Sequence, residues 1–194
     1  MKIAFFRTVW VAALAAGLAL STFAQTQPAP SPDNPEAVAK AYFAAMQASD
    51  WDKCASLLHP EALASMKRTF AAIINADVSG GAVKAIFGLK NNEEFAQLTG
   101  SAIFERLMNF MVGAAPEMKT ALASSKTTVL GKVTEGVELV HVVYRTQIKM
   151  SGVEVSEVEL MSFKKHGTTW RGLLTADMEE MVTKLAEGLS GKKE

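Results

Sequence analysis

The pattern of apolar and polar positions divides the chain into three parts. Residues 9–20 are almost continuously apolar. From Asn34 to Ser124 apolar residues recur at helical spacing, and from Lys126 to Thr175 the period shortens to that of strands. Asn34 followed by Pro35 and Glu36 reads as a helix start, an N-cap before a residue suited to the first turn and an acid at the positive helix end. Val38, Tyr42, Ala45 and Met46 then form an amphipathic stripe. Ser49-Asp50 ends this helix and caps a short second one built on Trp51, Ala55, Leu57 and Leu58. His59-Pro60 breaks that helix, and Pro60 starts a third, to about Ala76, with an apolar face of Leu63, Met66, Phe70, Ile73 and Ile74.

Ser79-Gly80-Gly81 is a flexible break, and Ala82–Leu89 fits either a short helix or a strand. Asn91-Asn92 caps a continuous helix from Glu93 to about Val112, in which Gly100 costs roughly 1 kcal/mol relative to alanine. Pro116 opens another helical turn or two, to about Ser124. The strands expected after Lys126 are Thr127–Val133, Val137–Met150, Val153–Lys165 and Thr169–Thr175. Glu135-Gly136, Ser151-Gly152 and His166-Gly167 separate them as hairpin signals. A two-residue loop at Ser151-Gly152 pairs Lys149 with Glu154, Ile148 with Val155, Tyr144 with Glu159 and Val142 with Met161. The opposite charges of Lys149 and Glu154 favour that register. Ala176–Leu189 closes the chain as an amphipathic helix. The expected class is α+β: N-terminal helices packed on a curved antiparallel meander, with extra helices before the sheet and a C-terminal helix.

The first 24 residues change the picture. Lys2 and Arg7 precede the apolar run, and Ser21-Thr22-Phe23-Ala24 ends on a small residue, the layout of a secretory signal peptide. The run is too short to span a bilayer, which takes roughly 20 residues. The expected organisation is a signal at 1–24, a Pro-rich tether at 25–33, one domain at 34–189 and a disordered tail at 190–194. The processed protein is then periplasmic or secreted, with no membrane span. Lysines and arginines number 20 against 20 acids, which gives no electrostatic footprint for nucleic acid. A single cysteine, Cys54, rules out an internal disulfide and reads as a small buried hydrophobe.

The run Pro35-Glu36-Ala37-Val38 through Tyr42-Phe43, then Asp50-Trp51-Asp52-Lys53 and Leu57-Leu58-His59-Pro60, resembles the opening of NTF2-like proteins. The closing Thr169-Trp170-Arg171-Gly172-Leu173-Leu174 resembles that superfamily's last strand. The resemblance spans most of residues 34–176. It implies a cone whose concave sheet face meets helices around an apolar pocket, with frequent dimerisation through the sheet. The long helical stretch 82–124 and the helix after Ala176 depart from it. Enzymes, ligand binders and scaffolds share this fold, so it does not choose among them.

Proton-transfer enzymes of that group set a carboxylate or histidine against a tyrosine or protonated aspartate. The nearest arrangement here is Tyr144 with Glu159 and Glu157 on one sheet face. Its bland alternative is a solvated face or a dimer contact. His141, Arg145 and Ser162 fall on the opposite face, with no acid evident to orient the histidine and no oxyanion-hole motif. Tyr144, Glu159, Arg145, His141 and Trp170 are the ligand-binding candidates. No histidine or cysteine spacing suits a metal, and no cofactor motif is present. His59 is expected to hydrogen-bond the backbone at its helix junction. The residues leave three readings: a non-enzymatic protein binding a small apolar ligand or an envelope partner, an isomerase or lyase, and a structural homodimer.

Overall fold

The computed structural model describes residues 33–76, 81–150 and 153–189. The signal at 1–24, nearly all of the tether, the Ser151-Gly152 loop and the tail at 190–194 lie outside the described residues. Eight helices and four strands fall within them: α1 (Pro35–Ala48), α2 (Trp51–Leu57), α3 (Pro60–Ala76), α4 (Gly81–Phe87), α5 (Asn92–Gln97), α6 (Gly100–Ala114), α7 (Pro116–Ser124), β1 (Lys126–Glu135), β2 (Leu139–Met150), β3 (Val153–His166), β4 (Thr169–Gly172) and α8 (Ala176–Leu189). This is the expected α+β arrangement, with a curved, unclosed sheet.

Local signals set most helix ends. The Asn34 side chain accepts from Glu36 N–H at 3.0 Å, and Asp50 accepts from Lys53 N–H at 3.0 Å. Ser49 turns left-handed at φ 54° to separate α1 from α2. The stretch that fitted either helix or strand is helical, as α4.

The continuous helix expected from Glu93 to Val112 is two helices. Leu98 leaves helical geometry at ψ 141°, and the Thr99 side chain caps α6 by accepting from Ala102 N–H at 3.1 Å. Lys67 of α3 donates to the Ala96 and Leu98 carbonyls, at 2.9 and 2.6 Å, which satisfies oxygens that a helix end leaves open. Gly100 then brings α6 against Leu63 of α3.

The sheet runs in the order β1-β2-β3-β4, antiparallel throughout. The register across β2 and β3 is the expected one, with Lys149 opposite Glu154, Tyr144 opposite Glu159 and Val142 opposite Met161. A bulge between Val129 and Gly131 leaves Leu130 half exposed. β4 ends at Gly172, three residues before the expected Thr175, because the chain turns away toward α8. There His59 N–H of the α2–α3 junction donates to the Gly172 carbonyl at 2.7 Å.

One sheet face carries Val140, Val142, Tyr144, Met161 and Phe163, all buried against the helices. α1 and α7 lie on this sheet, α6 packs on α2 and α3, and α8 packs on α3. Phe70, Phe104, Ile103, Leu107 and Met66 fill the space between the helices. Cys54 joins that core with no exposed surface.

Candidate functional site

The alternation of a strand places Tyr144 of β2 and Glu159 of β3 on the helix-facing side, directly opposite one another. Tyr144 is buried, while Glu159 keeps partial access to solvent. Phe43 of α1 covers Tyr144, with ring centroids 4.4 Å apart, and Tyr42 meets Phe43 edge-on at 5.9 Å. Around them lies a cavity of about 170 Å³, lined by Tyr42, Phe43, Met46, Leu122, Ile148 and Met178, with Thr175 and Glu159 among its polar groups. A second space of about 430 Å³ shares Tyr144, Glu159 and Thr175 and opens toward Asp177 and Glu179 of α8.

Burial raises the Glu159 carboxyl above the ordinary carboxylate range. The Tyr144 hydroxyl, donating toward it, works the other way, and the negative charges of Asp177 and Glu157 push it further up. The Tyr144 phenol is raised as well, first by burial and then by Glu159. Burial raises the Tyr42 phenol in the same direction. The Tyr144 hydroxyl and the Glu159 carboxyl line the same cavity, where each offers a polar group to a bound molecule.

The candidates from the sequence separate into groups. Tyr144 and Glu159 come together at the cavity. Glu157 shares their face two residues along β3, opposite Thr146, and is exposed. Trp170 pairs with Lys165, six residues along β3 from Glu159, and is absent from the lining of both spaces. It is 9% exposed, with the Lys165 ammonium 5.4 Å from its ring. Arg145 and His141 lie on the outer face, where Arg145 is exposed opposite Val158.

His141 has the orienting acid that the sequence did not reveal. Its Nε2 lies 2.7 Å from the Glu135 carboxylate and its Nδ1 lies 2.9 Å from Ser162 Oγ. The ring is used in the reverse sense from a serine-hydrolase triad, where Nε2 faces the serine. His59 behaves as expected. It is buried, its Nδ1 accepts from Glu61 N–H at 3.2 Å, and burial lowers its pKa.

A third space of about 420 Å³ lies between α2, α3 and α6, with Lys67, Arg171 and His166 in its wall. Lys67 is committed to the Ala96 and Leu98 carbonyls, and Arg171 donates to the Ser56 carbonyl. These cations fasten helices to each other and to β4. Among the described residues no three His, Cys, Asp or Glu side chains converge as metal ligands, and no helix is long and apolar enough to cross a membrane.

Asp177, Thr175, Tyr42 and Phe43 are the site residues that sequence reasoning missed. Tyr42 stands on the α1 stripe and Phe43 directly after it, and that adjacency was the available signal for both. Comparison with family models, with curated proteins and with solved structures gives no match to this chain.

Proposed function

We propose that this is an exported NTF2-like protein that binds a small, mainly apolar ligand without transforming it, with Tyr144 and Glu159 holding the ligand's polar atom. The observation that carries this reading is the Tyr144–Glu159 pair at the wall of a mainly apolar cavity of about 170 Å³. An apolar cavity of this size holds a molecule of about the bulk of one aromatic ring. The adjoining space of about 430 Å³ leaves room for a longer one. Export rests on the sequence of residues 1–24, and the helix-then-meander order supports the NTF2-like reading. Native mass spectrometry of protein purified from its own envelope or culture medium tests the proposal. A retained small-molecule mass, reduced in Glu159→Gln, is expected. A clean ligand-free mass counts against it and favours a protein partner.

The raised Glu159 carboxyl opposite a phenol favours a second reading, an isomerase or lyase in which Glu159 moves a proton and Tyr144 stabilises the oxyanion. Turnover of a ketosteroid or a dehydratable substrate, abolished in Glu159→Gln, would establish it. The outer sheet face exposes Leu130, Val133, Val158 and Leu160, which favours homodimerisation through the sheet. Light scattering showing a monomer at high micromolar concentration removes that reading.

A further inference from the structure

β4 leaves most of β3 with an open side. Pairing on that side runs only from His166 back to Phe163, with one more bond from Leu173 N–H to the Ser162 carbonyl. Backbone groups alternate between the two sides of a strand. Ser162 directs its carbonyl toward β4, and Lys165 directs its N–H the other way, to Glu138. The same alternation turns the N–H and C=O groups of Glu154, Ser156, Val158 and Leu160 outward. Among the described residues no strand pairs with them.

From Glu157 to Leu160 the side chains along this edge are sorted by charge, while Val155 lies on the acidic side and Glu154 on the apolar one. Glu157 and Glu159 share the helix-facing side. Val158 and Leu160, 55% and 56% exposed, share the other. The space of about 430 Å³ begins where β4 ends and brings Asp177 and Glu179 beside the edge. None of these four carboxylates has an ion-pair partner among the described residues.

We propose that the edge of β3 over residues 154–160 receives an extended segment of a basic partner protein as an added strand. Backbone hydrogen bonds supply the affinity in such an addition, and alternate side chains supply the choice of partner. The fitting strand alternates lysine or arginine, facing Glu157 and Glu159, with apolar residues beside Val158 and Leu160. A second copy of this chain fits poorly. Two-fold registers centred on residue 157 or 158 set Glu157 against another Glu157 or against Glu159, and like charges directly opposite destabilise a pair. Residues 25–32 fit poorly too, since they contain Pro28, Pro30 and Pro32 and no cation. Each proline lacks the N–H that a ladder needs. Residues 190–194 carry Lys192 and Lys193 but no apolar residue. The proposal does not rest on the small-ligand reading, because it concerns the strand's outward backbone rather than the cavity.

The test is titration of the purified protein with a short capped peptide that alternates lysine and valine, followed by amide NMR and hydrogen exchange. Saturable binding is expected, tighter at low salt, with new exchange protection at Ser156, Val158 and Leu160. Val158→Pro removes one outward N–H and spares the ladder to β2, and it should abolish binding. Glu157→Gln with Glu159→Gln should weaken it about tenfold. The peptide with alternate amides methylated should not bind, and this control holds whether or not the proline variant folds. Equal binding by that peptide, by a glutamate–valine peptide, or by a folded Val158→Pro protein would overturn the proposal. So would a dimer that protects the Ser156, Val158 and Leu160 amides from exchange and that Val158→Pro dissociates, since the occupant would then be a second copy, or edge amides that become exposed only on deletion of residues 25–32 or 190–194.

Discussion

Gly100 lies so close to Leu63 that a methyl group on its Cα would sit 2.9 Å from the Leu63 Cβ and 3.0 Å from the Leu63 carbonyl oxygen. The carbonyl oxygen is backbone and the Cβ is bonded directly to the backbone Cα, so neither can swing away. Helix propensity alone favours alanine at this position by about 1 kcal/mol. The contact reverses that preference. Gly100→Ala is expected to destabilise the protein by about 1–3 kcal/mol, the range for overpacking a close contact. Urea unfolding checks it, and a stabilised variant would mean that α6 does not approach α3 this closely.

Cys54 is fully buried in α2, and burial pushes its thiol up to about 12. The thiolate is the reactive form, so the native protein should resist a thiol-specific disulfide reagent at neutral pH. Reaction should appear with the same urea midpoint as the loss of helical circular dichroism. Fast labelling in the absence of denaturant would contradict this packing.

Glu159 gives stability a pH dependence of defined sign. Its folded pKa is raised above the ordinary 4.5, so between those two values the folded protein holds a proton that the unfolded chain has released. Its stabilising contribution is complete below the unfolded value and is lost as pH rises through the folded one. Glu159→Gln cannot titrate. The melting temperature of the native protein relative to that variant should therefore fall as pH rises above about 4.5. Asp177→Asn should bring the Glu159 carboxyl downward in a carbon-13 NMR titration, because it removes a neighbouring negative charge.

Phe70 and Phe104 are wholly buried between the helices, whereas Val137 at the β1–β2 turn is 81% exposed. Phe70→Ala or Phe104→Ala should cost about 3–5 kcal/mol. Val137→Ala should stay within about 0.5 kcal/mol of the native protein. Calorimetry of the set would separate the helical core from the hairpin tip.

The sheet was the most legible part of the chain. The Ser151-Gly152 signal and the opposite charges of Lys149 and Glu154 fix a register, and a register assigns every side chain on both strands to a face. Tyr144 opposite Glu159 follows from that alone. The break at Leu98 was not legible, because Leu98 continues an apolar stripe and the Thr99 cap stands among residues that read as helix interior. Its cause, the close approach of Gly100 to Leu63, is tertiary. Asp177 illustrates the same limit, since its place beside Glu159 depends on where β4 stops. Glu135 was read as part of a turn. It is the last residue of β1, within reach of His141, because that strand continues past Val133.

The meeting of His59 with Gly172 has a consequence for how the chain holds itself together. Every strand pairs with its neighbour in sequence, so the sheet's own bonds close only short loops. The bond from His59 N–H to the Gly172 carbonyl joins positions on the order of a hundred residues apart, and loop-closure entropy grows with the logarithm of that length. Cutting the backbone between those positions would release that constraint and turn one molecule into two fragments. Their reunion would then depend on concentration, with the burial of the helix-facing sheet as the force that brings the halves together.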